Sequence, residues 1–247
     1  MPSIPLPPAE LRQGGVHFLD DGAFLASAVE DAEKLRAHGL KPESRVLDLG
    51  SGPGRFAIGL LATDWFTGSY LGVEVQERHV NWCTEHIASR WPSYRFVLTD
   101  TRNERYRPDG SESPRLPSDD GEFDFFYAYS VFSHMKSLDV AGYLQEIRRV
   151  LSPAGRAFVT LFAESGVPDE TENPDWYGPF GWRGRLHCVL YSIDWVEQAV
   201  GHAGLSIVDF SKGVEVDGQT SLILKRAPIS SACDRRSASS GGGPAVI

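Results

Sequence analysis

The chain has 247 residues, 41% of them hydrophobic, which is enough to bury one sizeable core without dividing into two domains. Its 33 acidic residues against 24 basic ones give a formal net charge of −9, with no clustered Lys/Arg stripe, and this excludes a phosphate-neutralising surface for nucleic acid. Three widely spaced cysteines, Cys83, Cys188 and Cys233, exclude a disulfide framework and a Cys-pair zinc knuckle, and point to a reducing cytoplasm.

The chain opens on "MPSIPLPPAE", with prolines in place of an apolar signal core, and no apolar run along it reaches membrane-spanning length. The expectation is a soluble, unprocessed, cytoplasmic protein. A helix is predicted around Phe24 to Leu35, ahead of a first strand "SRVLDLG". The strands "SYLGVEV", "YRFVLTD", "FDFFYAYS" and "GRAFVTLF" follow, and "LSIVDFS" and "TSLILKR" come near the end. Between the fourth and fifth lies a helix whose face is marked by Val140, Tyr143, Leu144, Ile147 and Leu151, with Pro153 and Gly155 stopping the run. Short β-branched or aromatic runs alternating with amphipathic segments are the pattern of a parallel sheet covered on both faces, an α/β fold. The stretch "RNERYRPDGSESPRLPSDDGE" reads as a polar loop. Residues 1–226 are read as one domain, with a leader and helix over 1–40 and a core over 41–226, and the Ser/Gly-rich stretch 227–247 as a disordered tail.

Gly50, Gly52 and Gly54 fall at the turn from the first strand to its helix, at the carboxyl edge of the sheet where α/β proteins bind ligands. The dinucleotide fingerprint needs glycine at position 55, which is Arg55, and a phosphate loop needs Lys followed by Ser or Thr, where the chain reads Arg55-Phe56-Ala57. A bare turn beside the carboxylate of Asp48 suits instead a ligand with an amino-acid portion, such as S-adenosylmethionine. Glu74 closes the second strand, where a carboxylate can accept from both ribose hydroxyls, and Asp100 closes the third, placed to accept from the exocyclic amine of adenine.

In these stretches the sequence resembles the class I S-adenosylmethionine-dependent methyltransferases, from roughly Gly14 to Arg226. "VLDLGSGPGR" matches that family's first motif, and the likeness extends through "YLGVEV", "FVLTD", "FDFFYAYSVFSHM" and "YLQEIRRVLSPAGRAFVTLF". Ala154 departs from the usual Gly-Gly of the turn before the fifth strand. Further stretches, "GGVHFLDDGAFL" among them, resemble a bacterial branch acting on small molecules. The resemblance implies a Rossmann-like, doubly wound, seven-stranded sheet of order 3-2-1-4-5-7-6, mostly parallel with the last strand antiparallel. It also implies a cofactor site that takes in Ser51, Val75, Thr101 and Ser130 beside the residues above.

Methyl transfer needs a nucleophile in line with the sulfonium methyl, and a base only where the acceptor is a hydroxyl or a protonated amine. His134, after the fourth strand, is the first candidate for that base and His187 the reserve. In the long excursion after the fifth strand, Trp176, Tyr177 and Trp182 are candidates to wall the acceptor site and Arg183 to fix an acidic acceptor. His17 and Phe18, in the leader, are candidates to cover the cofactor and border the acceptor. His79 and His86 lack a third ligand, so no metal is expected. The reading is a methyltransferase of a small-molecule acceptor, O-methylating through His134. N-methylation, a nicotinamide-dependent oxidoreductase and a cofactor-binding protein without turnover are the alternatives.

Overall fold

The computed structural model describes residues 3–111, 114–178, 181–215 and 217–228; Phe180 and the tail from 229 onward lie outside the described residues. The first strand, β1 (Arg45–Leu49), pairs in parallel with β2 (Ser69–Glu74) on one side and β4 (Phe123–Ala128) on the other. Outside β2 lies β3 (Tyr94–Leu98), also parallel, and outside β4 lies β5 (Leu151–Glu164). Adjacent residues of β1 feed opposite cores, as alternation along a strand requires: Val46 packs with the helices of one face and Leu47 with those of the other. Phe125 and Phe126 of β4 divide in the same way.

On the Val46 face lie α1 (Asp21–Ala37), α2 (Arg55–Ala62) and α3 (Glu77–Cys83), the last prolonged by a π turn over Thr84–Ala88. Asp20 caps α1, its Oδ1 accepting from the Ala23 N–H at 2.8 Å. On the Leu47 face lie α4 (Ser137–Val150), which buries Val140, Tyr143, Leu144 and Ile147 as the periodicity predicts, and α5 (Ile193–His202). Ser192 caps α5 through the Trp195 N–H.

The sheet keeps the predicted order, because β8 (Leu205–Ser211) and β9 (Thr220–Arg226) close it as a hairpin in which β9 runs antiparallel to β5. Among the described residues it has nine strands, not seven. β6 (Glu170–Glu172) and β7 (Val189–Ser192) are the additions, β7 parallel to Phe162–Glu164 and β6 antiparallel to β7. The cause is the length of β5, which runs beyond Leu161, the last residue that β9 covers, and would otherwise present a bare edge. Strands of three and four residues inside a loop-like stretch leave no periodicity to read. Leu151 is corrected too: α4 ends at Val150, and Leu151 opens β5 opposite Phe123, with a register shift that accommodates Pro153.

Helices α1 and α2 approach at Gly59, where a Cβ would stand 2.0 Å from the Ala28 carbonyl oxygen. Backbone cannot yield there as a side chain tip can. Gly59→Ala should therefore destabilise the fold by about 1–3 kcal/mol, the cost of overpacking a close contact. Denaturant unfolding checks this, and a wild-type midpoint would show that the two helices are not so closely apposed.

Candidate active site

The glycine turn is held from below by its own backbone, the N–H groups of Gly50 and Ser51 both donating to the Val73 carbonyl at 2.8 and 3.3 Å. Gly50 has φ 71°, and a Cβ on it would fall 2.6 Å from Val131 Cγ2, so β4's following loop crosses directly over it. Gly52, at φ 52°, is different: a Cβ there meets nothing within 4 Å. The turn thus offers open space at its apex and left-handed backbone that a branched residue resists. Gly54, also left-handed, leads into α2. Ser51 Oγ is buried without a hydrogen-bond partner.

Glu74 stands opposite that apex, nearly buried. Its Oε2 accepts from the Gly52 N–H at 2.8 Å, and its Oε1 from the Val75 and Gln76 N–H groups, each at 2.8 Å. Burial raises its pKa, and these three amide bonds oppose the rise. A carboxylate has about four lone-pair positions, so the glycine turn and the end of β2 are tied together with little acceptor capacity to spare. Asp48 lies on the α1/α2 face, 2% exposed, accepting from the Tyr70 hydroxyl, and burial pushes its pKa up to about 8. It lies within the protein and not at the open apex. Asp100 is outermost, ion-paired with Arg107 at 2.8 Å, while Thr101 is buried with its hydroxyl 2.9 Å from that of Thr99.

Arg55, the residue that breaks the dinucleotide pattern, is largely buried behind the turn. It pairs with Asp31 at 2.8 Å, donates to Ser27 Oγ at 3.0 Å and the Tyr127 hydroxyl at 3.3 Å, and lies between the rings of Phe18 and Tyr129 at 5.4 and 5.1 Å. Phe18 is thus brought to the back of the turn from the leader. His17 is in the same short turn, Val16–Leu19, with its side chain outside the described set.

Beyond β4 the backbone bends sharply. Ser130 has φ 55°, a left-handed conformation unusual for a residue with a side chain, and such outliers concentrate at functional sites. Its N–H donates to Thr160 Oγ1 at 2.7 Å, its Oγ accepts from Gln219 Nε2 at 2.9 Å, and that Oγ also lies 3.3 Å from Ser133 Oγ. Thr160 in turn donates to Gln219 Oε1 at 2.8 Å, and both are fully buried. Nothing in the sequence marks Gln219, which lies about 90 residues away in the hairpin between β8 and β9.

His134 and His187 come together, ring centroids 6.5 Å apart. His134 Nδ1 faces the Leu186 carbonyl at 2.9 Å, so the neutral ring carries its proton there and keeps Nε2 as the lone-pair nitrogen. His187 is the reverse: its Nδ1 accepts from the Arg183 N–H at 2.7 Å, leaving the proton on Nε2. Only His134 offers an accepting nitrogen free of a backbone donor. Burial, with the charges of Arg105 and His187, lowers its pKa to about 4, against the support of the Leu186 carbonyl. Burial and Arg105 also lower His187. Tyr106 and Arg105, unremarked in the sequence, complete this group, the Tyr106 ring 5.9 Å from His134. Of the predicted wall, Tyr177 and Trp182 pack on Phe162, 5.8 and 5.5 Å between centroids, and Trp182 also meets His187 at 5.4 Å. Trp176 is mostly exposed, and Arg183 contributes its backbone while its side chain is outward.

Among the described residues, no group of three His, Cys, Asp or Glu side chains is placed to hold a metal ion, and no helix is long and apolar enough to cross a membrane. A family model described as a methyltransferase domain matches residues 15–209, and this chain belongs to that family. Solved structures share the fold. A 1,6-didemethyltoxoflavin-N1-methyltransferase from Burkholderia thailandensis, solved with bound 1,6-didemethyltoxoflavin and S-adenosylhomocysteine, is 20% identical over 84% of this chain and 80% of its own, with a TM-score of 0.57. A putative sarcosine dimethylglycine methyltransferase from Galdieria sulphuraria is 16% identical over 83% and 87%, TM-score 0.59. The [4+2]-cyclase SpnF is 18% identical over 80% and 81%, TM-score 0.58. The class I methyltransferase architecture expected from the motifs is the one found.

The surroundings of His134 generate a direct expectation. Its NMR titration should have a midpoint near pH 4, well below an ordinary histidine. Because the unfolded residue takes its proton near pH 6.5 and the folded one only near pH 4, wild type should lose stability relative to His134→Gln as pH falls through that window. Parallel stability curves for the two proteins would show that the ring is not enclosed as described.

Proposed function

We propose that the protein transfers a methyl group from S-adenosylmethionine to the hydroxyl of a small-molecule acceptor, with His134 as general base. The observation that carries the reading is the open apex at Gly52 facing Glu74, beside the buried, unpartnered Ser51 hydroxyl. These residues fit a ligand with a ribose diol and an amino-acid end. Glu74 would hold the diol, and the amides now on its carboxylate would yield or share it; Val75, Thr101 and Ser130, which follow β2, β3 and β4, would contribute to the same site. Bound there, the cofactor supplies an electrophilic methyl on a positively charged sulfur, a leaving group that needs no protonation. The protein's own task is then to align the acceptor and take its proton. His134 Nε2 receives the hydroxyl proton while the Leu186 carbonyl fixes the ring through Nδ1, and Trp182 and Tyr177 exclude water from that side.

A second reading, N-methylation, is favoured by the low proton affinity of His134, since an amine that enters unprotonated needs no base. A cytoplasmic setting belongs to the same proposal, in keeping with the buried, unpaired thiols of Cys83 and Cys188.

Glu74→Ala should weaken S-adenosylhomocysteine binding by about 1.5–3 kcal/mol, the range for hydrogen bonds to a charged group. Calorimetry on the folded variant checks it, and unchanged affinity removes Glu74 from the site. His134→Ala should leave cofactor affinity intact and lower the single-turnover rate about 10²–10⁴-fold with a hydroxyl acceptor. A rate within a few fold of wild type would favour the amine reading.

A further inference from the structure

Between the loop that follows β3 and the excursion that precedes β7 lies an open cleft of about 380 Å³, lined by Glu104, Arg105, Tyr106, Gly184 and Arg185. The two arginines meet across it, Arg105 donating to the Arg185 carbonyl at 3.2 Å. Arg105 also donates to the Tyr106 hydroxyl at 3.1 Å and stacks on its ring, yet among the described residues it meets no carboxylate. Arg185 is paired with Glu104, and its side chain is 69% exposed. Two guanidinium groups thus line one open cleft, with the carboxylate of Glu104 beside Arg185 and none on Arg105 among the described residues.

The cleft is also built into the candidate site. Asn103 accepts from the N–H groups of Arg105 and Tyr106 at 2.9 and 3.0 Å, and its own Nδ2 donates to the His134 carbonyl at 3.1 Å. One side chain thus sets the turn that carries Arg105 and fastens it to the segment that carries His134. Across the cleft, Arg185 directly precedes Leu186, whose carbonyl orients His134. The cation and the candidate base are therefore positioned by the same few bonds.

We propose that this cleft receives an anionic group of the methyl acceptor, a carboxylate or a phosphate, bound by Arg105 and Arg185. The proposal rests on the methyl-transfer reading of the adjoining site. A guanidinium presents its donors as a planar fork that matches such oxyanions, and Arg105 has donors left after its two bonds. An anion seated there would replace Glu104 as the partner of Arg185. It would also neutralise the Arg105 charge, which with His187 disfavours protonation of His134; Tyr106 and the backbone of Leu186 and His187 also face the ring. An acceptor of this kind would make His134 a stronger base on arrival.

The test uses the full chain saturated with S-adenosylhomocysteine, titrated calorimetrically with benzoate, with inorganic phosphate, and with benzamide as the uncharged counterpart of benzoate. At least one anion should bind saturably and benzamide should not. Arg105→Gln should weaken that binding about tenfold or more, as loss of hydrogen bonds to a charged group would. Glu104→Gln, which removes the competing carboxylate, should tighten it several-fold, and the bound anion should move the His134 titration midpoint upward, effects that a merely structural pair would not give. Benzoate against phosphate distinguishes the two oxyanions. The proposal is overturned if neither anion binds saturably, if benzamide binds as well as benzoate, or if both variants keep wild-type affinity. Failure of S-adenosylhomocysteine itself to bind would instead overturn the cofactor reading.

Discussion

The largely buried pairing of Arg55 with Asp31 is the interaction on which the rest of the site depends. A charge taken out of water costs several kcal/mol, and removing one partner of such a pair costs about 3–5 kcal/mol because the other is left uncompensated. Arg55 is the first residue of α2 and follows Gly54 directly, so whatever fixes its guanidinium also fixes the end of the glycine turn. Asp31 and Ser27 bring α1 to it, Tyr127 and Tyr129 bring β4, and Phe18 brings the leader. Lys34 extends the network, pairing with Glu215 at 3.0 Å and lying over the Phe158 ring. Segments from both ends of the chain are thereby referenced to the residue behind the turn.

The two halves of the site are built differently. The half proposed to hold the cofactor is backbone: a turn between β1 and α2, the end of β2, and a carboxylate that bonds to the amides of both. The half proposed to hold the acceptor is made of long connections, and it is here that the two unanticipated strands have their use. Glu170 and Glu172 of β6 both pair with Lys136, Glu170 accepts from the Ser137 N–H at the start of α4, and Glu172 accepts from the Leu186 N–H. The strand pair is a strut that holds the excursion carrying His187 against the segment carrying His134. Without it, the Leu186 carbonyl would have no reason to meet an imidazole 52 residues away.

Ser130 connects the halves. Its left-handed backbone is sustained by Thr160 from β5 and Gln219 from the final hairpin, so the turn after β4 is shaped by the two strands that lie beyond it in the sheet. A conformation that costs on the order of 1–3 kcal/mol persists only where the surroundings over-determine it, as they do here.

What the sequence determined by itself is what depends on local order along the chain. The alternation of Val46 and Leu47, the 3.6-residue face of α4, and three glycines at alternate positions each act within a few residues, and they sufficed for the parallel sheet, its order through the family resemblance, and the left-handed glycine turn after β1. The tertiary structure decided everything that requires distant residues to meet. Asp48 was legible as an acid beside the turn, but only the packing of Tyr70 against it shows that it is buried and bonded within the protein. The sequence ranked His134 ahead of His187 only by its place after the fourth strand; which of them keeps an accepting nitrogen depends on whether a carbonyl or an N–H reaches Nδ1. Burial and hydrogen-bond partners are properties of the folded chain, so pKa, tautomer and exposure could be assigned only after the fold had brought those partners together.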